Sequence, residues 1–586
     1  MALDATGLYT VGRPLPSLSA VIGATGFAPV IRKTDLNGAE LWARRLGASS
    51  YYLRPFAIAA WAGGVYIAGS FDTAPPGLRG NEVCDVFVTR YDGNGNEQWT
   101  RRFGSPLHDG AFGVAANETG VYIVGEAGGP LAPGFDAGVF VRKYSHIGVE
   151  LWTRQEPGYG AGGVAVDATG VYMVGFSNFQ PVLLKYDTDG NQLWATALAT
   201  GTSTFESSIA IDGTSAYLAR GGFLIKYAVN GAELWTRRYA DVGAAVAVDG
   251  TGIYVSGATI GAALPGQCSA GQGDAVVRKY DASGDLVWTR QFGTPASDYA
   301  TAVRLDQIGV YVAGFHAFGP AGSSFLAKLE KSSPAVSDSR PHIQWECVLN
   351  AASYLGGAVA PGEIVTILGS GLGPAELATQ ELTGITALAT TLAGARILFN
   401  GAPAPLVYVS EKQSSAIVPY GVAADSSVNV EVEYRGVRSN IVAMPVVEAR
   451  PGIFTRDGSG RGQAAIRNQD GSLNSPENPA ARGSVIVFYA TGEGLLEPAW
   501  VDGQIIGASP PKPKLPISVL IWDERSLDDN AVQAEVLSAR AVAGSIPGLL
   551  EVTAHVPEEA PVGGALTISI QLGAQFVATG VTVALR

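Results

Sequence analysis

A short motif built around tyrosine recurs seven times in the first 330 residues of this 586-residue chain. An internal repeat limits the possible folds more than any other feature, because each copy must form one structural unit that packs on its neighbours. The motif reads Gly-Val-Tyr-x-x-Gly in its most regular form. Its copies end at Gly12, Gly69, Gly125, Gly175, Arg220, Gly257 and Gly314.

Three further segments accompany the tyrosine motif. An alternating segment such as FVTRYD or FVRKYS follows each copy and predicts a half-buried strand. A segment such as AVAVD precedes the turn that leads into the motif. Six of the seven alternating segments are followed, seven residues later, by Trp42, Trp99, Trp152, Trp194, Trp235 and Trp288. Four short strands per repeat, joined by glycine-rich turns, predict the blades of a seven-bladed β-propeller.

A second type of pattern begins after a polar segment that contains proline. Residues 359–374 (VAPGEIVTILGSGLGP) and 483–498 (GSVIVFYATGEGLLEP) are similar to each other, and Pro419 aligns with Pro557 when the ends of the two halves are compared. We therefore predict an all-β protein with a propeller at 1–331, a linker at 332–342, and immunoglobulin-like sandwiches at 343–447 and 448–586.

Two resemblances to known families support this division. The segments VFVTRYDGNGNEQW and VAVDATGVYMVG resemble the bacterial SBBP repeat, and similar units fill residues 2–330. The two segments at 359–374 and 483–498 resemble the opening of IPT/TIG-type immunoglobulin-like domains, and 347–586 resembles a C-terminal module of secreted bacterial proteins. The resemblances imply the fold and a secreted bacterial protein, and they bring no catalytic residues with them.

The count of strands is uneven at the two ends of the repeat region. The last repeat lacks its tryptophan strand, and the first repeat starts at Ala2, in the middle of its innermost strand. We expect the missing strand, with any export signal, to lie upstream of Met1. Two alternatives stay open: residues 343–345 fold back as that strand, or a neighbouring molecule donates one to the open edge of the last blade, which would allow self-association.

Loop lengths indicate which face of the propeller is functional. The loops from the second to the third strand are long in repeats 1, 2, 3, 6 and 7, as at 71–85, 126–138 and 258–274, but almost absent in repeats 4 and 5. Loops of variable length on a rigid scaffold commonly form binding surfaces. We predict that a ligand binds on this face, near the loops that join successive blades.

The candidate ligand-binding residues are the aromatic, acidic and histidine side chains of those joining loops. They are Tyr51, Tyr52, His108, Asp109, Tyr159, Phe205, Asp298 and Tyr299. Asp109 and Asp298 occupy equivalent repeat positions, so for these two residues a turn-capping role is the favoured alternative.

Composition excludes several classes of partner. The formal net charge is -13 and no cluster of Lys and Arg is present, so a nucleic-acid partner is not expected. No apolar run is long enough to predict a transmembrane helix, and no signal peptide is visible at the N-terminus. Cys84, Cys268 and Cys347 lie far apart without zinc spacing, so we interpret them as free thiols.

No catalytic or cofactor motif can be assigned. The repeat is similar to that of quinoprotein propellers, but no calcium or base residues of such enzymes can be identified. The segments 92–96 and 187–191 suggest calcium loops only superficially, since no glutamate follows at EF-hand spacing. The five histidines lie in unrelated contexts, so neither a catalytic triad nor a metal site is predicted, and we expect no cofactor.

The sequence therefore favours a non-enzymatic secreted or cell-surface interaction protein. In this hypothesis the loop face of the propeller binds a glycan or a protein, and the immunoglobulin-like domains act as spacer or anchor. A structural subunit of an extracellular filament, assembled by strand or domain exchange, is one alternative. A propeller enzyme, quinoprotein-like or carbohydrate-active, is the other.

Overall fold

A computed structural model describes most of the chain, and its residues form two compact units. Unit 1 comprises residues 1–260, 275–290 and 298–334, and unit 2 comprises 261–274, 291–297 and 335–586. The described residues are 1–12, 29–46, 53–72, 84–158, 160–177, 180–198, 207–239, 242–259, 264, 267–271, 273–294, 297–317, 324–332, 340–383, 386–523, 531–576 and 580–586.

Unit 1 is built from consecutive antiparallel sheets whose strands follow one another in chain order. The first three sheets are formed by β1 (Ala2–Asp4), β2 (Gly7–Gly12), β3 (Val30–Thr34), β4 (Glu40–Arg45); β5 (Leu53–Trp61), β6 (Gly64–Asp72), β7 (Cys84–Asp92), β8 (Glu97–Phe103); and β9 (Asp109–Asn117), β10 (Gly120–Ala127), β11 (Gly138–Tyr144), β12 (Glu150–Pro157).

The next four sheets continue the pattern, and the last of them has three strands among the described residues. They are formed by β13 (Val164–Asp167), β14 (Gly170–Ser177), β15 (Gln180–Tyr186), β16 (Gln192–Ala197); β17 (Ser207–Ile211), β18 (Ser215–Arg220), β19 (Phe223–Ala228), β20 (Glu233–Arg238); β21 (Val242–Asp249), β22 (Gly252–Ala258), β23 (Ala275–Tyr280), β24 (Leu286–Phe292); and β25 (Ser297–Leu305), β26 (Gly309–Ala317), β27 (Ser324–Glu330).

The repeated tyrosine is the buried centre of each sheet. Tyr217 is 2% exposed, and its hydroxyl donates to the carboxylate of Asp212 in the preceding turn at 2.8 Å. Tyr311 makes the same bond to Asp306 at 2.7 Å. A buried phenol needs such a partner, which explains why an aspartate precedes the tyrosine by five residues in these repeats.

The repeated tryptophan joins each sheet to the next one. The indole Nε1 of Trp42 donates to the Gly93 carbonyl oxygen at 3.0 Å, and that of Trp152 donates to the Thr188 carbonyl oxygen at 2.9 Å. Both acceptors lie in the turn between the third and fourth strands of the following sheet. The ring also covers a glycine of that turn, as a Cβ on Gly190 would lie 2.8 Å from the Trp152 ring.

The arginine two residues after the tryptophan strengthens this junction. Nε of Arg101 donates to the Gly148 carbonyl oxygen at 2.8 Å, and the guanidinium lies 5.6 Å from the centroid of the Trp99 ring. In the fourth sheet Thr196 replaces the arginine and donates to the Gly231 carbonyl oxygen at 2.9 Å. The motif Trp-x-Arg is therefore explained by contacts between sheets, with no need for a ligand.

The last sheet of unit 1 contacts the first. Lys328 Nζ in β27 donates to the Leu36 carbonyl oxygen at 3.2 Å, across 292 residues of chain. This is the same contact that Lys33 makes to Gly93 and Lys143 makes to Thr188 between consecutive sheets. The succession of sheets thus returns to its starting point, as in a β-propeller.

One of the expected ways to complete the last sheet is wrong. Residues 343–345 lie in β28, which pairs with β29 in unit 2, with Ile343 opposite Gly369. Since β28 belongs to that sheet of unit 2 and not to the sheet of β27, this segment does not complete the last sheet of unit 1.

In the first part of unit 2, two sheets enclose one hydrophobic core. The strands are β28 (His342–Asn350), β29 (Ile364–Ser370), β30 (Ala378–Thr379), β31 (Leu382–Thr383), β32 (Ala387–Leu388), β33 (Ala395–Phe399), β34 (Ala402–Pro403), β35 (Leu406–Val409), β36 (Gln413–Ile417), β37 (Ser427–Tyr434), β38 (Val437–Arg438) and β39 (Val442–Pro445), with a 3-10 helix at Tyr420–Ala424. One sheet has the order β28-β29-β36-β35-β30, and the other has β34-β33-β37-β38 with β39 beside β37. Val365 and Ile367 of the first sheet and Ile397 and Val430 of the second share a buried cluster.

The remaining strands of unit 2 belong mainly to a single sheet. They are β40 (Gly452–Ile453), β41 (Gly462–Gln463), β42 (Ile466–Arg467), β43 (Val485–Thr491), β44 (Leu496–Glu497), β45 (Lys512–Pro513), β46 (Ile517–Trp522), β47 (Val532–Ala541), β48 (Leu550–His555), β49 (Gly563–Leu572), β50 (Gln575–Phe576) and β51 (Val581–Leu585). The long strand β47 pairs with β46 up to Ala534 and with β48 from Glu535 onward. It therefore joins two halves of the domain that the prediction of a sandwich assigns to separate sheets. Phe488 and Ile568, one from each half, lie in the same core.

The interpretation of all three cysteines as free thiols is wrong for two of them. Cys268 and Cys347 form a disulfide within unit 2, with their Cα atoms 5.5 Å apart. The partners are separated by 79 residues, and such a distance in sequence gives no indication of proximity. Cys268 is 8% exposed and packs in a small cluster with Leu349 and Tyr354.

The contact between tryptophan and glycine predicts a difference between two alanine substitutions. Gly190 and Gly213 have similar positive φ angles, +82° and +85°, but a Cβ on Gly213 would meet no atom within 4 Å. Both Gly190→Ala and Gly213→Ala carry the same backbone strain. We expect Gly190→Ala to destabilise unit 1 by about 1–3 kcal/mol more, because its methyl group overlaps the Trp152 ring. Thermal unfolding of the two variants measures the difference, and equal melting temperatures would contradict the structural role of this contact.

The disulfide predicts a loss of stability on its removal. Replacing both Cys268 and Cys347 by alanine should destabilise unit 2 by about 2–5 kcal/mol, because the unfolded chain regains the freedom of a long loop. Guanidinium unfolding measures the loss, and Cys84→Ala, outside the disulfide, is the matched control. Peptide mapping without reductant should recover the Cys268–Cys347 pair, and a different pairing would contradict the structure.

Candidate functional site

A large cavity lies at the centre of unit 1. Its volume is about 1120 Å³, and it is lined by residues from the first strand of each sheet from the second to the seventh, and by Met1. The first strand is therefore the innermost strand of each sheet. The cavity exceeds the usual range for small-molecule sites, so it has room for an extended ligand.

The two ends of the cavity differ in character. The first strand of each sheet begins where the second strand ends, as Asp109 opposite Ala127 shows, and we name this end of the sheets the loop face. The opposite end is the turn face. Arg304 and Leu305, near the end of β25, line the cavity toward the turn face. Aromatic residues line it near the loop face.

Two of these aromatic residues occupy β-bulges. Phe56 lies between Pro55 and Ala57, which pair with consecutive residues of β6, so Phe56 is the extra residue of its strand. Phe112 is the extra residue at the equivalent position of β9. A bulge residue is released from the regular alternation of the strand. As a result both rings line the cavity, with centroids 5.4 Å apart.

A second aromatic pair belongs to the seventh sheet. Tyr299 near the start of β25 and Phe315 near the end of β26 stack with centroids 5.2 Å apart and an interplanar angle of 17°. The exposed fractions of the four rings are substantial: 51% for Phe56, 40% for Phe112, 38% for Tyr299 and 45% for Phe315. We name these four residues the aromatic mouth.

At the repeat position of Phe56 and Phe112, other sheets have smaller residues. The position ten residues before the repeated tyrosine holds Phe56 and Phe112 in two sheets, but Gly162, Ser207 and Thr301 in others. Glu126 also lines the cavity, and its carboxylate accepts a hydrogen bond from the Gly160 amide at 3.0 Å. The aromatic mouth therefore contributes flat apolar surfaces, and the opposite wall leaves space.

The predicted site residues lie in different environments. Tyr299 lies at the cavity. Asp298 is fully buried and pairs with the ring of His316, and Asp109 is 4% exposed and accepts hydrogen bonds from the Ser105 hydroxyl and the Gly128 amide, each at 3.0 Å. Burial raises the pKa of the Asp109 carboxyl. His108 is exposed next to it, and it does not line the cavity.

The other predicted residues, Tyr51, Tyr52, Tyr159 and Phe205, lie outside the described residues. The short connections from second to third strand are present in the fourth and fifth sheets, where β14 and β15 are joined by 178–179 and β18 and β19 by 221–222. The long loop at 126–138 lies within the described part of the chain, whereas most residues of the long loops of repeats 1, 2 and 7 lie outside it.

Phe56, Phe112 and Phe315 were not predicted. The first two belong to innermost strands, and an alternating pattern alone would assign them to the interior. Alignment of the repeats on the tyrosine could have identified Phe56 and Phe112, because two adjacent repeats have phenylalanine where others have small residues. Phe315 directly follows the tyrosine motif of the last repeat.

Unit 2 contains a second group of perturbed side chains. Glu363 and Arg450 are fully buried as an ion pair at 3.3 Å, and Asn350 Nδ2 donates to the Glu363 carboxylate at 2.8 Å. Glu493 lies close by, and among the described residues neither of its carboxylate oxygens has a hydrogen-bond partner. Burial, reinforced by the charge of Glu363, raises the pKa of Glu493 to about 8.

Neither the cavity of unit 1 nor the buried cluster around Glu363 has the composition of a metal centre. In the described ranges, no cluster of three or more His, Cys, Asp or Glu side chains could hold a metal ion. No helix within the same ranges is long and apolar enough to cross a membrane.

The chain has no match among family models or among curated proteins. The SBBP and IPT/TIG-type resemblances therefore stay predictions. The solved structures similar to this chain are β-propeller proteins. They include BamB from Moraxella catarrhalis (15% identity, 53% of this chain and 80% of that chain, TM-score 0.32) and the Pan2 WD40 domain from Neurospora crassa (9%, 48% and 92%, 0.26). The chain is also similar to a functionally unknown protein from Desulfotomaculum acetoxidans (14%, 51% and 96%, 0.33).

The buried carboxyl of Glu493 predicts how stability depends on pH. Its pKa rises from 4.5 in the unfolded chain to about 8 in the folded one, so the folded state holds a proton that the unfolded state has lost. Stability is therefore fully present below pH 4.5 and falls as the pH rises toward 8, by up to about 1.4 kcal/mol per pH unit. Glu493→Gln, which is neutral at every pH, should reduce this fall.

Calorimetry at pH 6 and pH 9 measures the effect. The exposed residue Glu559 supplies the control. The melting temperature of unit 2 should fall between pH 6 and pH 9 by the same amount in Glu559→Gln as in the wild-type protein. An equal fall in the Glu493→Gln variant would show that this carboxyl is not responsible.

Proposed function

We propose that this chain is a non-enzymatic secreted or cell-surface interaction protein that binds a glycan or a protein through the loop face of a seven-bladed, SBBP-type propeller. The domains at 343–447 and 448–586 are immunoglobulin-like, of IPT/TIG type, and serve as spacer or anchor. The bound segment enters the cavity at the aromatic mouth.

The aromatic mouth is the observation that carries this proposal. Four large rings are 38–51% exposed beside one cavity, although burial of an aromatic ring is worth several kcal/mol. Exposed aromatic rings that cluster at a concave surface are characteristic of binding sites. Phe56 and Phe112 hold no hydrogen-bonding group, so their contribution to binding is the face of the ring.

The shape of the cavity favours an extended ligand with apolar faces. A volume of about 1120 Å³ accommodates several sugar or amino-acid residues. Sugar rings have apolar faces that stack on aromatic side chains, and the hydroxyl groups of Ser207 and Thr301 line the cavity as hydrogen-bonding groups. Leucine or aromatic side chains of a protein partner would occupy the same surfaces.

Two observations support the remaining parts of the proposal. The Cys268–Cys347 disulfide fits an oxidising compartment, since structural disulfides are rare in the cytosol. Asp298 and Glu126, the acidic groups near the mouth, already have partners in His316 and the Gly160 amide. Their bonds give each carboxylate a structural role, which favours binding over catalysis.

Truncation of the aromatic mouth tests the binding site. We expect the double variant Phe56→Ala, Phe112→Ala to lose about tenfold or more in affinity for the ligand, because two stacking surfaces are removed. A glycan array and an extracellular protein panel, each probed with the labelled full chain, identify the ligand. Titration of that ligand then gives the affinities.

The control is Leu193→Ala, which truncates an apolar side chain with 52% exposure on the outer strand β16. Binding should be unchanged in this variant. Unreduced affinity in the double phenylalanine variant would contradict the site, and turnover of a bound glycan or an absorbance change on addition of pyrroloquinoline quinone and calcium would favour the enzyme alternative.

A further inference from the structure

One arginine interrupts a pattern that the other six sheets of unit 1 share. In each of those sheets the innermost strand places an alanine directly opposite the repeated tyrosine. These alanines are Ala2, Ala59, Ala115, Ala165, Ala210 and Ala247. The seventh sheet has Arg304 at the same spacing, seven residues before Tyr311. A small side chain is therefore the rule at this position, and Arg304 is the exception.

Arg304 lines the cavity and has no acidic partner among the described residues. Its Nη1 donates to the Val303 carbonyl oxygen at 2.7 Å. Burial lowers the pKa of the guanidinium, and no negative charge from the described part of the chain opposes this shift. Of the described residues that line the cavity, Arg304 alone has a positively charged side chain. A cation withdrawn from water costs free energy unless an anion compensates it.

Arg304 lies deeper in the cavity than the aromatic mouth. Thr301 occupies the repeat position of Phe56 and Phe112, and Arg304 follows it three residues later along β25, toward the turn face. At about 3.3 Å per residue these two levels are about 10 Å apart. An extended peptide covers this distance with three residues. A ligand whose apolar part rests on the aromatic mouth can therefore place a negatively charged group at Arg304.

The polar side chains of the cavity wall indicate the class of the ligand. Glu126 already has its amide partner, and Ser208 Oγ accepts from the Val246 amide at 3.1 Å. Thr301 Oγ1 donates to the Ala313 carbonyl oxygen at 3.4 Å. A glycan carries many hydroxyl groups, and each one that loses water without a new partner weakens binding. Because much of the polar wall is used within unit 1, it favours a polypeptide with apolar side chains.

We propose that Arg304 binds a carboxylate of a polypeptide partner whose neighbouring apolar residue rests on the aromatic mouth. This inference rests on the proposed binding function of the cavity and adds the class of the ligand. The guanidinium has further N–H donors besides the one that Val303 uses, and their planar arrangement matches the two oxygens of a carboxylate. The carboxylate belongs to an acidic side chain or to a chain terminus, about three residues from the apolar residue.

The stability of unit 1 provides the first test. Arg304→Met removes the charge and keeps the apolar stem of the side chain. We expect its melting temperature to equal or exceed that of the wild-type protein, because a buried charge without a partner is lost. Arg45→Ala, at an exposed arginine of β4, is the control. A lower melting temperature in Arg304→Met than in Arg45→Ala would show that a carboxylate of the chain itself pairs with Arg304, which overturns the proposal.

Short synthetic peptides test the class of the ligand. The probes are acetyl-Phe-Ala-Ala-Asp-amide and its asparagine counterpart, and acetyl-Phe-Ala-Ala with a free terminal carboxylate and its amide. Titration calorimetry with the full chain measures each affinity. We expect at least one acidic peptide to bind about tenfold or more tightly than its neutral counterpart, because only the acid pairs with the guanidinium. The acidic peptide that binds more tightly identifies the source of the carboxylate.

Substitution at Arg304 connects this preference to one side chain. Arg304→Met should abolish the preference for acidic peptides, and Arg45→Ala should retain it. Three results overturn the proposal. They are equal affinities of the acidic and neutral peptides for the wild-type protein, no binding at millimolar peptide concentration, and an unchanged preference in Arg304→Met.

The same peptides separate this inference from the proposed function. The double variant Phe56→Ala, Phe112→Ala should weaken all four peptides by a similar factor, because the rings contact the apolar part of the ligand. Binding that depends on these rings but not on the charge of the peptide refutes the role of Arg304 and leaves the binding function of the cavity intact. An oligogalacturonate that binds through Arg304 where all four peptides fail would replace the polypeptide by an acidic glycan.

Discussion

The contact between a tryptophan ring and a glycine of the next sheet determines most of the structure of unit 1. A glycine with positive φ leaves a flat space, the indole covers it, and the indole NH finds a carbonyl oxygen in the same turn. Each contact fixes one sheet against the next, and the lysine and arginine beside it add further donors to the same turn. Since five successive junctions between described sheets repeat the contact, the arrangement of these sheets follows largely from one local rule.

The same rule explains why the repeat pattern carries so little direct information about function. Nearly every recurring side chain is used within the scaffold: tyrosine with the aspartate of its turn, tryptophan with the glycine, and lysine over the tyrosine ring. The side chains that can vary between repeats are those that make none of these contacts. In unit 1 these are the residues of the bulges and of the loop face, where the aromatic mouth lies.

The sequence was sufficient to predict the strands and the order of sheets in unit 1, because periodic burial and glycine turns leave a strong pattern. It was insufficient where proximity comes from tertiary structure. Nothing local distinguishes Cys268 from Cys84, yet only the former lies beside Cys347. Glu493 reads as an ordinary loop residue, although its carboxyl is buried near Glu363. Of the predicted site residues on the described part of the chain, Tyr299 lines the cavity, while Asp109 and Asp298 are held by the scaffold.

The β-bulges have a further consequence for how such a protein can change over time. Because the extra residue takes no part in the ladder of its strand, exchanging Phe56 or Phe112 for a smaller side chain leaves the pairing of the sheet intact. Gly162 and Thr301 stand at the same repeat position with smaller side chains, whereas Ser207 at this position is paired regularly with Arg220. The bulge positions of the innermost strands are therefore sites of independent substitution, through which the lining of the cavity can change while the pairing of the sheets is inherited unchanged.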